Sequence, residues 1–400
     1  MRRYVGALTA VLWLAAAPAR AQIDDTKRLL LEGGYEDGLG NPGPNGAYAF
    51  LYLNRPGVAG PGSAWRLALA PVYLDTELGL PGLLGYRTDV GLGFSGGGYA
   101  FSRKEVVRGD QRFGESFIGN GGGPSLSFYP KIGDIGPVPL SGVVRFSAVY
   151  TDYQATSQTD ANFEIPPDEW TGAARVGLRL GGQEPGLGRG PALEVSTWYE
   201  GRVRDRPGTY GYNHDRFVKR EVNLYWMRFL LVLPPDSGVR ASAGASVGGG
   251  DRLGRLTAYR LGGMLTQSAE FPLIIPGYFS QEIAAREFGH VWARYGIPVE
   301  RSRRFFVNVL AAGASVTPIR GTDPGGSLHA GMSVGLEFAP PKGALHGELT
   351  YGYAPRAVRG NHRGGEAFAI TAELDFMTPD LESRKGVKTS QQGFGWLLGR

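Results

Sequence analysis

The chain has no cysteine. That excludes disulfide staples, thiolate metal sites and a lipid-modified N-terminal cysteine. Histidine is scarce at five residues, and no two of them share ligand spacing on one face, so neither a metal nor another cofactor is expected. No stretch approaches eighteen uninterrupted apolar residues, which excludes a membrane-spanning helix. A charge surplus is also missing. The formal +5 comes down to 39 basic against 37 acidic residues once Arg2, Arg3 and Arg20 are set aside. A nucleic-acid partner is therefore not expected.

What is present begins with a leader. Arg2 and Arg3 precede an apolar run from Val5 to Ala17, and Ala19-Arg20-Ala21 stands before Gln22. This is the three-part pattern of a secretory signal peptide, so residues 1–21 are expected to be removed on export. Glycine follows in abundance: 64 of 400 residues, more than twice the usual share of about 7%, without the period of three that collagen needs. There are also 19 tyrosines and 7 tryptophans.

The later third of the chain explains that composition. In SLHAGMSVGLEF (327–338), Leu328, Ala330, Met332, Val334, Leu336 and Phe338 alternate with Ser327, His329, Gly331, Ser333, Gly335 and Glu337. ALHGELTYGY (344–353) and AFAITAELDF (367–376) repeat the pattern. Side chains alternate across a strand, so each segment has one apolar face and one polar or small face. A soluble sandwich and an outer-membrane barrel both produce such alternation. Segment length separates them: about ten residues suit a tilted membrane-spanning strand, whereas soluble strands average about five or six. Aromatic residues at strand ends (Tyr150, Tyr153, Trp198, Tyr199, Tyr351, Tyr353, Phe376) fit interfacial girdles.

The expectation is an all-β transmembrane outer-membrane β-barrel of sixteen antiparallel strands over residues 22–376, with fourteen as the fallback. Fifteen segments are readable: 27–35, 46–54, 64–75, 86–101, 118–129, 140–153, 172–181, 190–204, 217–233, 239–249, 286–298, 304–316 and the three above. An even count requires one more, which is expected within the glycine-rich 86–130. The short connections 300–304 and 339–343 read as periplasmic turns, and 318–327 and 356–365 as outward loops. The longest excursion, 250–285, also falls on the outer side. Residues 377–400 read as a C-terminal periplasmic tail.

Within that excursion lies YRLGGMLTQSAEFPLIIPGYF (259–279), too irregular for a strand and too apolar for a surface loop. Tyr259-Arg260-Leu261-Gly262-Gly263, Ile275-Pro276-Gly277-Tyr278 and the strand ending Trp292-Ala293-Arg294-Tyr295-Gly296-Ile297-Pro298 resemble the surface-antigen superfamily. This is the barrel of BamA- and TamA-type outer-membrane assembly factors and of two-partner secretion transporters. The resemblance implies that 250–285 is a sixth extracellular loop folded toward the lumen, where non-helical backbone is tolerated at membrane depth. It also implies a role in outer-membrane protein assembly or translocation, with a client polypeptide or a separate periplasmic partner. A Gram-negative outer membrane, with its lipid and lipopolysaccharide, would be the surroundings.

Two departures qualify the resemblance. The family loop carries an arginine that meets an aspartate two strands on. Here Pro276 takes the arginine position, and Ala311-Ala312-Gly313 stands where the acid is expected. The loop is therefore expected to be held by Ile275, Tyr278 and Phe279 through packing, without a salt bridge. Strands are also expected to begin by about Lys27, so the family's periplasmic POTRA modules are not expected within these 400 residues.

The remaining candidates concern the lumen. Arg175, Arg179, His346, Glu348, Glu373 and Asp375 all read as inward-facing; they are expected to be a solvated lumen lining, with an inner polar network among them as the alternative. Catalysis is not expected. GLGFSG (91–96) spells a dinucleotide fingerprint, but no helix follows it. GASVG (244–248) and GMSVG (331–335) spell a nucleophile elbow, but Ser246 and Ser333 lie mid-strand. The alternative to assembly is a passive channel or porin for small solutes.

Overall fold

The computed structural model describes Ile23 and residues 27–40, 43–85, 87–136, 138–181, 192–233, 240–265, 272–340 and 344–377. The leader, the tail beyond Met377 and the middle of the sixth loop lie outside the described residues.

Sixteen antiparallel strands form the wall: β1 (Arg28–Leu39), β2 (Gly46–Pro56), β3 (Ala64–Ala70), β4 (Tyr73–Leu80), β5 (Thr88–Gly97), β7 (Asp110–Ile135), β8 (Val138–Ala155), β9 (Glu169–Gly181), β10 (Ala192–Arg204), β13 (Glu221–Val232), β14 (Arg240–Asp251), β16 (Ile283–Pro298), β17 (Phe305–Pro318), β18 (Leu328–Phe338), β19 (Leu345–Arg359) and β20 (His362–Asp375). Each pairs with its neighbours, and β20 closes on β1 from Leu30↔Asp375 to Leu39↔Glu366. Four short strands belong to the loops. β6 (Arg103–Val107) extends the β7 hairpin, β11 (Gly208–Tyr210) pairs with β12 (Arg216–Val218), and β15 (Tyr259–Leu261) pairs with β16. The long loops gather at one end and the shorter turns at the other.

Burial is inverted relative to a soluble protein. Leu349 and Met332 are 58% and 57% exposed on the outside, whereas Asp75 and Arg179 are 0% and 2% exposed within. An apolar belt with charged groups inside suits lipid as the outer solvent. Phe305 and Phe338 pair at 5.1 Å near the turn end, and Tyr150 and Trp170 at 5.3 Å near the loop end, both outward.

Four expectations need correction. The sixteenth strand is not within 86–130; it is β4. Segment 64–75 is two strands joined at Pro71-Val72, and the phase of alternation changes there: Arg66 and Ala68 face inward before the turn, Asp75 and Glu77 after it. The expected outward loop 356–365 is mostly strand, because β19 and β20 continue past a bulge to a turn at Gly360-Asn361. Segment 118–129 is the middle of a 26-residue strand whose far part rises with β6 beyond the rim. Tyr153 and Trp198 are not girdle residues. They are 8% and 3% exposed, since an odd offset from outward Tyr150 and Tyr199 turns them into the lumen.

Val334 lies mid-strand on the outer face at 49% exposure. A charge there meets hydrocarbon, so Val334→Arg should lower stability by about 2–4 kcal/mol, while Val334→Leu stays close to neutral. Urea titration of the barrel folded in lipid vesicles checks this; equal midpoints would contradict a lipid-facing surface.

Candidate functional site

The sixth loop enters the lumen as two limbs. After β14 the chain reaches β15, where Tyr259, Arg260 and Leu261 pair with Ala285, Ala284 and Ile283 of β16. It turns through Gly262 and Gly263, with φ of +116° and +88°. The returning limb is tied to the first: Gly262 N–H donates to the Leu273 carbonyl at 2.9 Å, and Ile275 N–H to that of Gly263 at 3.1 Å. A tight turn follows at Pro276-Gly277, where Tyr278 N–H donates to the Ile275 carbonyl.

The tip is buried against the wall. Leu261 and Ile275 are 0% exposed and belong to one buried cluster with Tyr278, Ile283, Phe288, Ala314, Val316, Ala354 and Ala357. Close approach is possible because the facing wall positions have no side chain. A Cβ on Gly331 would overlap the Pro276 carbonyl oxygen, and one on Gly352 would crowd Pro276 and the Gly277 nitrogen. Gly277 itself has φ +83°, and a side chain there would collide with the backbone of Tyr353 and Ala354. Ile274 fits beside Leu310 and Ala312, and its carbonyl lies 2.8 Å from His290 Nε2. Tyr278 Oη is 2.9 Å from His329 Nδ1.

Packing is not the whole anchor, and here the expectation of a loop without a salt bridge is corrected. Glu282, closing the loop, accepts from Arg359 of β19 at 2.7 Å, with both side chains nearly fully buried. Arg359 also donates to the Gly277 carbonyl at 3.0 Å and lies 3.8 Å over the Phe279 ring. Burial pushes the Glu282 carboxyl above its usual range, against the pull of Arg359. On β1, Glu36 accepts from the backbone N–H groups of Met264 and Leu265. The acid is thus on the loop and the arginine on the wall, the reverse of the resemblance. Glu36, Glu282, Arg359, His290 and His329 were missed as site residues. Arg359 was hidden by reading 356–365 as a loop; Glu282 had a signal, as the acid ending an apolar run.

The predicted lumen residues separate into different clusters. Arg294 donates to Glu348 at 2.8 Å and lies 3.5 Å from Glu337; Arg240 and Asn308 complete that group. Arg294 therefore belongs to the lumen wall and not to the loop anchor. Arg175 pairs with Glu200 at 2.6 Å, and Arg179 lies 4.0 Å from Glu194 and over the Trp198 ring. His346 stands opposite Glu373 in the β19–β20 ladder, and Asp375 accepts from Met377 N–H. These contacts run between adjacent strands, as for Arg175 with Glu200, and between strands farther apart, as where Arg240, Arg294, Asn308, Glu337 and Glu348 join β14 to β19.

A cap lies over the loop end. Phe117, Tyr153, Phe163, Tyr210, Val218 and Leu256, drawn from several loops and strand ends, form one apolar cluster. Around it, Glu115 pairs with Arg216, and Glu105 pairs with Arg255 at 2.6 Å. Among the described residues no group of three His, Cys, Asp or Glu can hold a metal ion. Ser246 and Ser333 sit within continuous strands, not on a strand-to-helix turn.

Neither models of known protein families nor functionally characterised proteins match this sequence. Solved structures do match the fold. CdiB from Acinetobacter baumannii superposes on 88% of this chain with TM-score 0.60 at 12% identity, and CdiB from Escherichia coli on 87% with TM-score 0.58 at 14%. BamA from Haemophilus ducreyi lacking POTRA domains 1-3 covers 88% with TM-score 0.53 at 11%. This chain spans 60% of the first protein's length, 63% of the second's and 71% of the third's. The class is therefore a sixteen-stranded barrel of the architecture found in CdiB and BamA, a fold typical of outer-membrane proteins.

Three substitutions test the anchor. Gly277→Val forces a β-branched residue into positive φ and into the β19 backbone, and should cost on the order of 2–3 kcal/mol. Glu282→Gln or Arg359→Met alone leaves a buried charge unpaired, at about 3–5 kcal/mol, whereas the double variant should recover part of that loss. The heat-induced shift in gel mobility reads them all. Additive losses in the double variant would mean that the pair is not coupled.

Proposed function

We propose that the protein is an outer-membrane barrel of the surface-antigen type that assists outer-membrane protein assembly or polypeptide translocation, working with a separate periplasmic partner or client. Residues 1–21 would act as its export signal, and lipid and lipopolysaccharide would surround its apolar belt. The observation that carries this reading is the sixth loop folded into the lumen and fastened to the wall at Glu36, Arg359 and the Pro276-Gly277 turn.

A diffusion porin needs a continuous water path with a fixed opening. This lumen holds a packed, apolar loop beneath an aromatic cap. A hydrolase needs a nucleophile with a base in reach, and the serines with elbow spelling lie along regular strands. The loop also contacts both strands of the closing seam: Glu36 belongs to β1, and Gly365 of β20 sits against the Gly277 carbonyl. A loop bridging the first and last strands can couple what happens in the lumen to the junction where the chain closes on itself.

Planar-bilayer conductance separates the readings. The wild-type protein should give small, irregular currents, and removal of residues 264–281 should give large, steady ones. Large, steady steps from the wild type would favour the small-solute channel instead. In cells, loss of the protein should lower the outer-membrane content of other barrels or the yield of a secreted polypeptide. An unchanged outer-membrane and secreted proteome would sink the assembly and translocation reading.

A further inference from the structure

A space in the lumen lies beside the sixth loop. A cavity of about 240 Å³ lies between both limbs of the loop, the segment 99–103 and the inner faces of β9, β10, β13 and β14. At roughly 30 Å³ per water that is room for about eight waters, or for a small organic molecule in their place.

Its lining is strongly biased in charge. Arg103, Arg175, Arg202 and Arg260 line it against the single carboxylate of Glu200. Glu200 is already committed, accepting from Arg175 at 2.6 Å and from Arg202 at 2.5 Å. Arg103 and Arg260 are differently placed. Arg103 donates through Nη2 to the Leu256 carbonyl and Arg260 through Nη2 to that of Arg255, and both line the cavity. The Nε of each has no hydrogen-bond partner. The Arg260 side chain is only 6% exposed, and the acid beside it, Glu105 at 3.7 Å, is held more closely by Arg255. A buried guanidinium with donors to spare is costly unless an acceptor completes it. The rest of the lining is mixed, with hydroxyl and amide groups from Ser102, Ser246, Thr257, Ser280 and Gln281 and aromatic surface from Trp226, Tyr259 and Phe288.

We propose that this cavity is a binding site for a small aromatic carboxylate, its anion held by Arg103 and Arg260 and its ring against Trp226 and Tyr259. A planar, two-oxygen anion suits guanidinium donors, and a ring suits the aromatic surface. Such a ligand would touch the loop limbs, segment 99–103 and the barrel wall together. It would therefore bind the loop-inserted state and stabilise it by mass action. This inference goes beyond the proposed function and holds whether or not the barrel handles polypeptides.

The test is titration of the folded, detergent-solubilised protein with benzoate, following tryptophan fluorescence and the temperature of the mobility shift. Benzamide serves as the neutral isostere and sodium chloride as the ionic control. Benzoate should give a saturable fluorescence change and raise the transition temperature, and benzamide and chloride should do neither. Arg103→Gln should weaken binding about ten-fold, the loss expected for one charge-assisted hydrogen bond. Arg260→Gln should do the same; because it also adjoins Glu105 and can impair folding, Arg103→Gln is the deciding variant. Benzamide matching benzoate, chloride reproducing the effect, or an unchanged affinity in folded Arg103→Gln would each overturn the site.

Discussion

Closure is the constraint on which everything else rests. A strand crossing lipid cannot leave backbone N–H and C=O groups unpaired, so the sheet has to end where it began. Here β20 meets β1 along an unbroken ladder. Once the sheet is closed, alternation leaves only two destinations for a side chain. Lipid takes Val334, Leu349 and Ile370, and the lumen takes Glu36, Arg66 and Glu200. The charged interior follows from keeping charge out of the bilayer, and its ionic groups are satisfied both across adjacent strands and across the lumen, as where Arg145 of β8 meets Glu77 of β4. Arg66 with Asp75, Arg175 with Glu200 and Arg204 with Glu169 are all pairs of the first kind. A buried carboxylate without such a partner would be costly, so each of these acids lies within reach of an arginine.

Strand positions were legible because alternation over ten or more residues is a strong signal, and β18 follows it residue by residue. What escaped was short-range turn geometry. A two-residue turn at Pro71-Val72 costs almost no sequence, so two strands read as one until the change of phase between Arg66 and Asp75 is noticed. Gly360-Asn361 failed in the opposite sense: glycine and charge around it look like a loop, yet the ladder continues to Arg359↔His362. The apolar tip of the sixth loop was readable from Ile275, Pro276, Gly277 and Tyr278. Its ionic anchor was not, because Glu282 and Arg359 are 77 residues apart and only the barrel's curvature brings them together.

The lumen is not uniform, and that difference explains why an apolar loop can sit within a polar channel. Along β3 to β10 the inward positions carry Arg66, Glu77, Arg145, Arg175, Arg179 and Glu194, which fill space with paired charge. Along the loop-end halves of β17 to β20 many are small: Ala312, Ala314, Gly331, Gly352, Ala354, Ala367 and Ala369. A wall of small residues facing water would leave its half of the barrel empty. Occupied by Leu261, Leu265, Ile275 and Tyr278 it becomes a packed core, and each buried side chain of that size contributes about 1.5–3 kcal/mol.

The irregular backbone of the loop is therefore a consequence of its position. A third limb of regular strand inside the barrel would have no sheet edge to pair with, since closure has consumed every edge except a short piece of β16. β15 takes that piece over Tyr259–Leu261. Beyond it the chain pairs with itself through Gly262, Gly263, Leu273 and Ile275 and borrows acceptors from the wall, Glu36 for Met264 and Leu265. Glu282 plays the same part for Phe279, accepting its N–H at 2.8 Å. Glu36 sits on β1 and Glu282 on the loop itself, just before β16, and Arg359 at the end of β19 completes the set. Withdrawing the loop would strip partners from Glu36 and Arg359 at once, so the loop should leave the lumen as a unit and not residue by residue.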